Sequence, residues 1–116
     1  MLDESRNLLR IRYHGHVHEA DMQAGGEQLR SLLPSLKPKF KLLTDLTDLQ
    51  SMEPACAVEI RKFMDLCQTR GVGLVVRVIP DPARDIGFNI MSLFHYKRGV
   101  KIVTCETLAE AERTLN

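Results

Sequence analysis

Two aspartates, Asp45 and Asp48, stand among the hydroxyls of Thr44, Thr47 and Ser51 near the middle of the chain. Two carboxylates at a strand end could share general acid and base work, one releasing a proton and the other taking it. The residues around them favour another reading, in which Asp45 accepts N–H bonds of its loop and Asp48 stays in water. No Gly-x-Ser-x-Gly elbow and no glycine-rich phosphate loop accompanies them. With no set of nucleophile, base and orienting group in view, the sequence does not read as an enzyme.

Upstream, His14, His16 and His18 alternate, with Glu19 and Asp21 just beyond. Imidazoles so grouped suit zinc. Gly15 bends the chain between them, however, and Arg10 and Arg12 share their face, where neighbouring cations oppose a divalent ion. The pattern is therefore read as a solvated strand face that holds no metal. Cys56, Cys67 and Cys105 show no metal-type spacing, and an odd number cannot all pair. Cys56 and Cys67 fall on the apolar side of a helix and read as small core hydrophobes in a reduced cytosol.

A length of 116 residues is the size of one domain, here residues 1–116. Apolar residues at 44% and charged residues at 27% are enough for a core and argue against disorder. A net charge of +1 leaves no basic footprint for a nucleic acid. The densest basic run, Lys37-Pro38-Lys39-Phe40-Lys41, reads as a solvated loop. Met1 to Arg10 carries acids where a signal peptide has basic charge, and no apolar run approaches a membrane span, so a cytoplasmic protein is expected.

These groups need a scaffold, and its elements alternate. Asn7 to Tyr13 reads as a half-buried strand, with Leu9, Ile11 and Tyr13 on one face; Gly15 breaks it, and a short second strand runs through Val17. Glu19 to Leu33 reads as a helix with Met22, Gly25 or Gly26, Leu29, Leu32 and Leu33 on one stripe. Two glycines inside a helix cost about 1 kcal/mol each, so close packing against the sheet is expected there. Lys41 to Leu46 is a near-continuous apolar strand, and Pro54 to Arg70 a helix with Pro at its first position. Its core stripe is Cys56, Ile60, Phe63, Met64 and Cys67, and Gly71 ends it. A strand at Gly73 to Ile79, a helix at Asp85 to Tyr96 and a strand at Val100 to Thr104 follow. The last helix opens on a capping box, Thr107 with Glu110, and buries Leu108, Ala111 and Leu115. The expected fold is α/β, a mixed and mostly parallel sheet of four to five strands flanked by about four helices.

In this order the elements resemble the STAS domain, the fold of bacterial anti-sigma-factor antagonists, over nearly the whole chain. The opening strand ending near Gly15 is similar to the family's first strand and its glycine. Asp45-Leu46-Thr47 looks like the family's Asp-Leu-Ser at the end of the central strand. Where the family then has Asp-Ser-Ser-Gly, its first serine the phosphoacceptor, this chain has Glu53-Pro54-Ala55-Cys56. Glu53 keeps the acid, but Pro54 has no hydroxyl to modify. A phosphate at a helix N-terminus adds nearly two negative charges beside amide donors and so makes or blocks a docking surface. That switch cannot work at position 54. Thr44, Thr47 and Ser51 are the nearby hydroxyls, with Thr47 or Ser51 read as capping the helix or pairing in a turn.

The resemblance implies a non-catalytic regulatory module that binds a protein, an anti-sigma-factor-like kinase or a sensor protein, or that pairs with itself as a homodimer, without a cofactor. The expected contact surface joins Thr47, Ser51, Glu53, Pro54, Ala55 and Val58 to a face formed by Phe88, Met91 and His95, spaced i, i+3, i+7 opposite the core stripe of Ile86, Ile90, Leu93 and Phe94. The alternative function is a small-molecule or lipid-binding domain of the same fold, which requires an apolar cavity with few polar anchors.

Overall fold

The computed structural model describes residues 2–79 and 100–115. The chain is α/β, with a five-stranded sheet whose strands lie side by side in sequence order, from β1 to β5. β1 (Leu2–Asp3) runs antiparallel to β2 (Leu8–Val17), while β3 (Lys41–Met52), β4 (Leu74–Val78) and β5 (Lys101–Cys105) run parallel to β2. Helix α1 (Glu19–Leu32) crosses from β2 to β3, α2 (Cys56–Thr69) from β3 to β4, and α3 (Leu108–Leu115) follows β5. Three helices thus stand among the described residues where about four were expected. The fourth, at Asp85 to Tyr96, falls outside them.

Alternation along the strands builds two cores, one on each face of the sheet. Leu9, Leu42, Val75 and Ile102 are aligned in register, and this row packs with Met22 and Leu29 of α1 and with Ile60, Phe63 and Cys67 of α2. The neighbouring row, Leu43, Val76 and Val103, packs on the other face with Ala111 and Leu115 of α3. Central strands covered on both faces must be apolar throughout, and Leu42 to Leu46 is buried at every position, Thr44 and Asp45 included. The α2 stripe is as expected: Cys56, Ile60, Phe63, Met64 and Cys67 are all buried. Burial pushes the Cys67 thiol up to about 12, in keeping with a core hydrophobe rather than a reactive group.

Several local expectations need correction. The strand expected to end at Leu46 continues to Met52. From Asp45 to Asp48, β3 advances three residues while β2 advances two, from Arg12 to His14; a second such slip separates Gly15 from His16. Each extra residue is a bulge that shifts the side-chain alternation by one. Leu46, Leu49 and Met52 therefore all reach the same core although they are spaced by three. β2 is likewise one strand of ten residues rather than two pieces, bent at Gly15, whose φ is +65°.

Pro54 is not the first residue of α2. It lies in an exposed turn, and the helix begins at Cys56 after an Ala55 cap that has no side-chain hydrogen bond. The glycine pair of α1 does not pack closely either: a Cβ placed on Gly25 or Gly26 would meet nothing within 4 Å. Finally, α3 buries Ala111 and Leu115 but leaves Leu108 42% exposed. Its start carries half of the expected box, since Thr107 Oγ1 accepts the Glu110 N–H while the Glu110 carboxylate takes the N–H of Glu106 instead of Thr107.

Candidate functional site

The groups singled out in the sequence gather at the carboxyl ends of β2 and β3, the edge where open α/β sheets place their sites. The second half of β3 carries them, and the two bulges decide which way each points. Asp45 is buried, and its carboxylate accepts both the N–H of Thr47 at 3.0 Å and the Thr47 hydroxyl at 2.5 Å. Asp48 is exposed and paired with Arg12 of β2. One carboxylate thus closes a local turn and the other meets a guanidinium, so the two do not face each other as an acid–base pair. A hollow of about 390 Å³ lies above them, between Arg12, Asp45 and Thr47 on the sheet and Thr107 and Leu108 at the start of α3.

Of the two roles expected of these hydroxyls, neither Thr47 nor Ser51 caps α2, and Thr47 pairs locally with Asp45. Thr47 is held by Asp45, and Ser51 Oγ lies 2.5 Å from His16 Nδ1, across the strand pair. The register explains that contact, because the second bulge sets His16 opposite Ser51. An imidazole beside a hydroxyl is two-thirds of a nucleophilic triad, but among the described residues no carboxylate is hydrogen-bonded to the His16 ring to orient it. No local pattern signals this pairing, since the two residues are 35 apart and only the bulge aligns them.

The other two histidines take different partners. His14 is opposite Asp48 in register, and His18 Nδ1 lies 3.2 Å from Glu53 Oε1. Among the described residues no group of three or more His, Cys, Asp or Glu side chains stands where it could hold a metal ion.

Glu53, Pro54 and Ala55 form an exposed turn. Its shape is set by two backbone bonds, from Cys56 N–H to the Glu53 carbonyl at 2.9 Å and from Ala57 N–H to the Pro54 carbonyl at 3.1 Å. Val58, in the first turn of α2, is 53% exposed, as its position off the core stripe suggested. Beneath it Cys56 is fully buried, and desolvation pushes its thiol above the usual range. Ser51, Glu53, Pro54, Ala55 and Val58 thus follow one another from the end of β3 to the first turn of α2, while Thr47 lies further back in β3, beside the hollow next to α3. Phe88, Met91 and His95, expected to extend this surface, lie outside the described residues.

A second feature went unseen in the sequence: a cavity of about 660 Å³ between β2, α1 and α2, beside the glycine pair. Among the described helices none is long and apolar enough to cross a membrane. No protein-family model, no curated protein and no solved structure matches this chain.

Proposed function

We propose that this is a cytosolic, non-catalytic regulatory module of STAS-like type. It binds a protein partner, or a second copy of itself, through the end of the molecule where β3 passes into α2. The observation that carries the reading is Val58, a large apolar side chain left 53% exposed directly beside the exposed Pro54 and Ala55. Apolar groups clustered at a rigid corner, rimmed by polar residues such as Glu53 and Ser51, suit a contact surface.

The chemistry nearby supports a binding role over catalysis, because Asp45, Asp48 and Ser51 are each engaged by a neighbour. The three cysteines are free and buried, which suits a reducing compartment. With proline at position 54, contact is governed by partner availability instead of phosphate on that residue.

The test is a Val58→Asp variant. Wild-type protein is expected to sediment as a dimer or to retain a partner from extract of its native cells, and the variant to do neither while its circular-dichroism melt stays unchanged. A monomeric wild type that retains nothing sinks the proposal.

A further inference from the structure

Among the described residues, β2 is paired on one side only along most of its length. β3 follows it from Leu8 to Val17, whereas β1 covers just Leu8 and Leu9 on the other side. Past Leu9 the space beside that edge is the 660 Å³ cavity, within the range of roughly 300–1,000 Å³ usual for small-molecule sites. Ile11 and Tyr13 of β2, Met22, Gly26 and Leu29 of α1, and Phe63 of α2 bound its apolar part.

Two independent features mark it as a site rather than a packing defect. First, Gly26 lies on the α1 stripe that faces the sheet, between the buried Met22 and Leu29. A Cβ on Gly26, or on Gly25 beside it, would meet nothing within 4 Å. A larger residue would be better for helix propensity and would fill the void, so the glycine pair keeps the space open at a cost to the helix. Second, Tyr13 is only 8% exposed, yet its hydroxyl has no hydrogen-bond partner among the described residues. Tyr13 lines the cavity, so a molecule held there lies beside the phenol. Buried tyrosine hydroxyls usually find a partner.

The cations around the cavity indicate the charge of what fits. Lys62 is paired with Glu59, Arg12 with Asp48 and Arg10 with Glu112, while Arg30 is exposed on α1. None is buried against the apolar floor, and an ionised group placed there would be desolvated without a counter-charge. Burial, the largest cause, and the neighbouring thiols of Cys67 and Cys56 keep the phenol protonated far into alkali, so Tyr13 acts as a donor.

We propose that this cavity binds a small, uncharged amphipathic molecule whose apolar body lies between α1 and β2 and whose carbonyl or alcohol oxygen accepts the Tyr13 hydroxyl proton. The site is separate from the contact surface at the start of α2, so either can fail alone.

Two fluorescent probes test it on the full chain: prodan, an uncharged naphthalene ketone, and phenylnaphthylamine, which has no acceptor oxygen. Both are expected to bind wild type with blue-shifted emission. Tyr13→Phe should weaken prodan by about fivefold, the worth of one net hydrogen bond, and leave phenylnaphthylamine unchanged. Gly26→Leu should melt no lower than wild type and bind neither dye; should it fail to fold, the Gly25→Ala/Gly26→Ala double variant replaces it, with weakened binding of both dyes expected. The proposal is overturned if neither dye binds wild type, if filling the glycine gap leaves both titrations unchanged, or if Tyr13→Phe binds prodan as wild type does.

Discussion

The Glu53 carboxylate accepts the backbone N–H of Glu19 at 2.8 Å, so the residue that follows β3 caps the first turn of α1. Its own N–H donates to the Val17 carbonyl at 3.0 Å, and its Oε1 lies 3.2 Å from His18 Nδ1. The two strand-to-helix corners are thereby tied together through one side chain. Asp21 completes the start of α1 by accepting the His18 N–H at 2.9 Å. Negative charge suits a helix N-terminus, where unpaired amides point outward. Glu53→Ala should therefore cost about 1 kcal/mol, in the range of a lost cap, while Glu53→Gln, which retains an acceptor, loses less. Urea unfolding reads this as a lower midpoint with an unchanged slope.

Arg10 of β2 and Glu112 of α3 are joined by a two-pronged ion pair, with Arg6 at 3.8 Å from the same carboxylate. The Arg10 hydrogen bond, the largest cause, holds the Glu112 carboxyl below the ordinary glutamate range. A carboxyl with a lowered folded pKa contributes stability that is present above its unfolded pKa and lost as pH falls through the folded value. Thermal melts from pH 7 down to pH 3 should show wild type losing more stability than Glu112→Gln. Parallel curves would mean that the pair contributes nothing across that interval.

Three glycines separate by backbone and surroundings. Gly25 and Gly26 sit in helical backbone with open space where a Cβ would go, so Gly25→Ala or Gly26→Ala should each stabilise by about 0.4–1 kcal/mol. Gly15 has equal space but a φ of +65°, which L-residues adopt only with strain, so Gly15→Ala should destabilise by about 1–2 kcal/mol. Matched denaturant titrations of the three variants test the contrast, which fails if all shift the midpoint in the same direction.

Leu49 discriminates a long β3 from a loop. At 1% exposure in the α1–α2 core, its truncation to alanine should cost about 2–5 kcal/mol. A leucine in a surface turn would lose a few tenths at most. A melting temperature within a degree of wild type for Leu49→Ala would return the segment after Leu46 to a loop.

Much of the framework was legible from local pattern. The α2 stripe of Cys56, Ile60, Phe63, Met64 and Cys67 repeats every three or four residues, and that period has one structural meaning. Val58 fell outside the stripe and is exposed, and Ala111 and Leu115 are buried. Asp45 accepts the N–H two residues on, as a short acidic side chain tends to. Leu108 misled because a helix of eight residues has room for few inward positions, and its packing against the sheet selected Ala111 and Leu115.

The amino-acid order by itself determined the alternation of strands and helices, the apolar side of α2 and the loss of a hydroxyl at position 54, because each depends only on residue type and short-range periodicity. Tertiary structure alone decided where β3 ends, what the histidines touch and what the glycine pair does. Leu46, Leu49 and Met52 fit no strand period until β2 lies alongside and its register absorbs two extra residues. The open space at Gly26 and the place of Tyr13 beside it likewise acquire meaning only once α1 folds back over β2, since no sequence interval encodes a distance across a sheet.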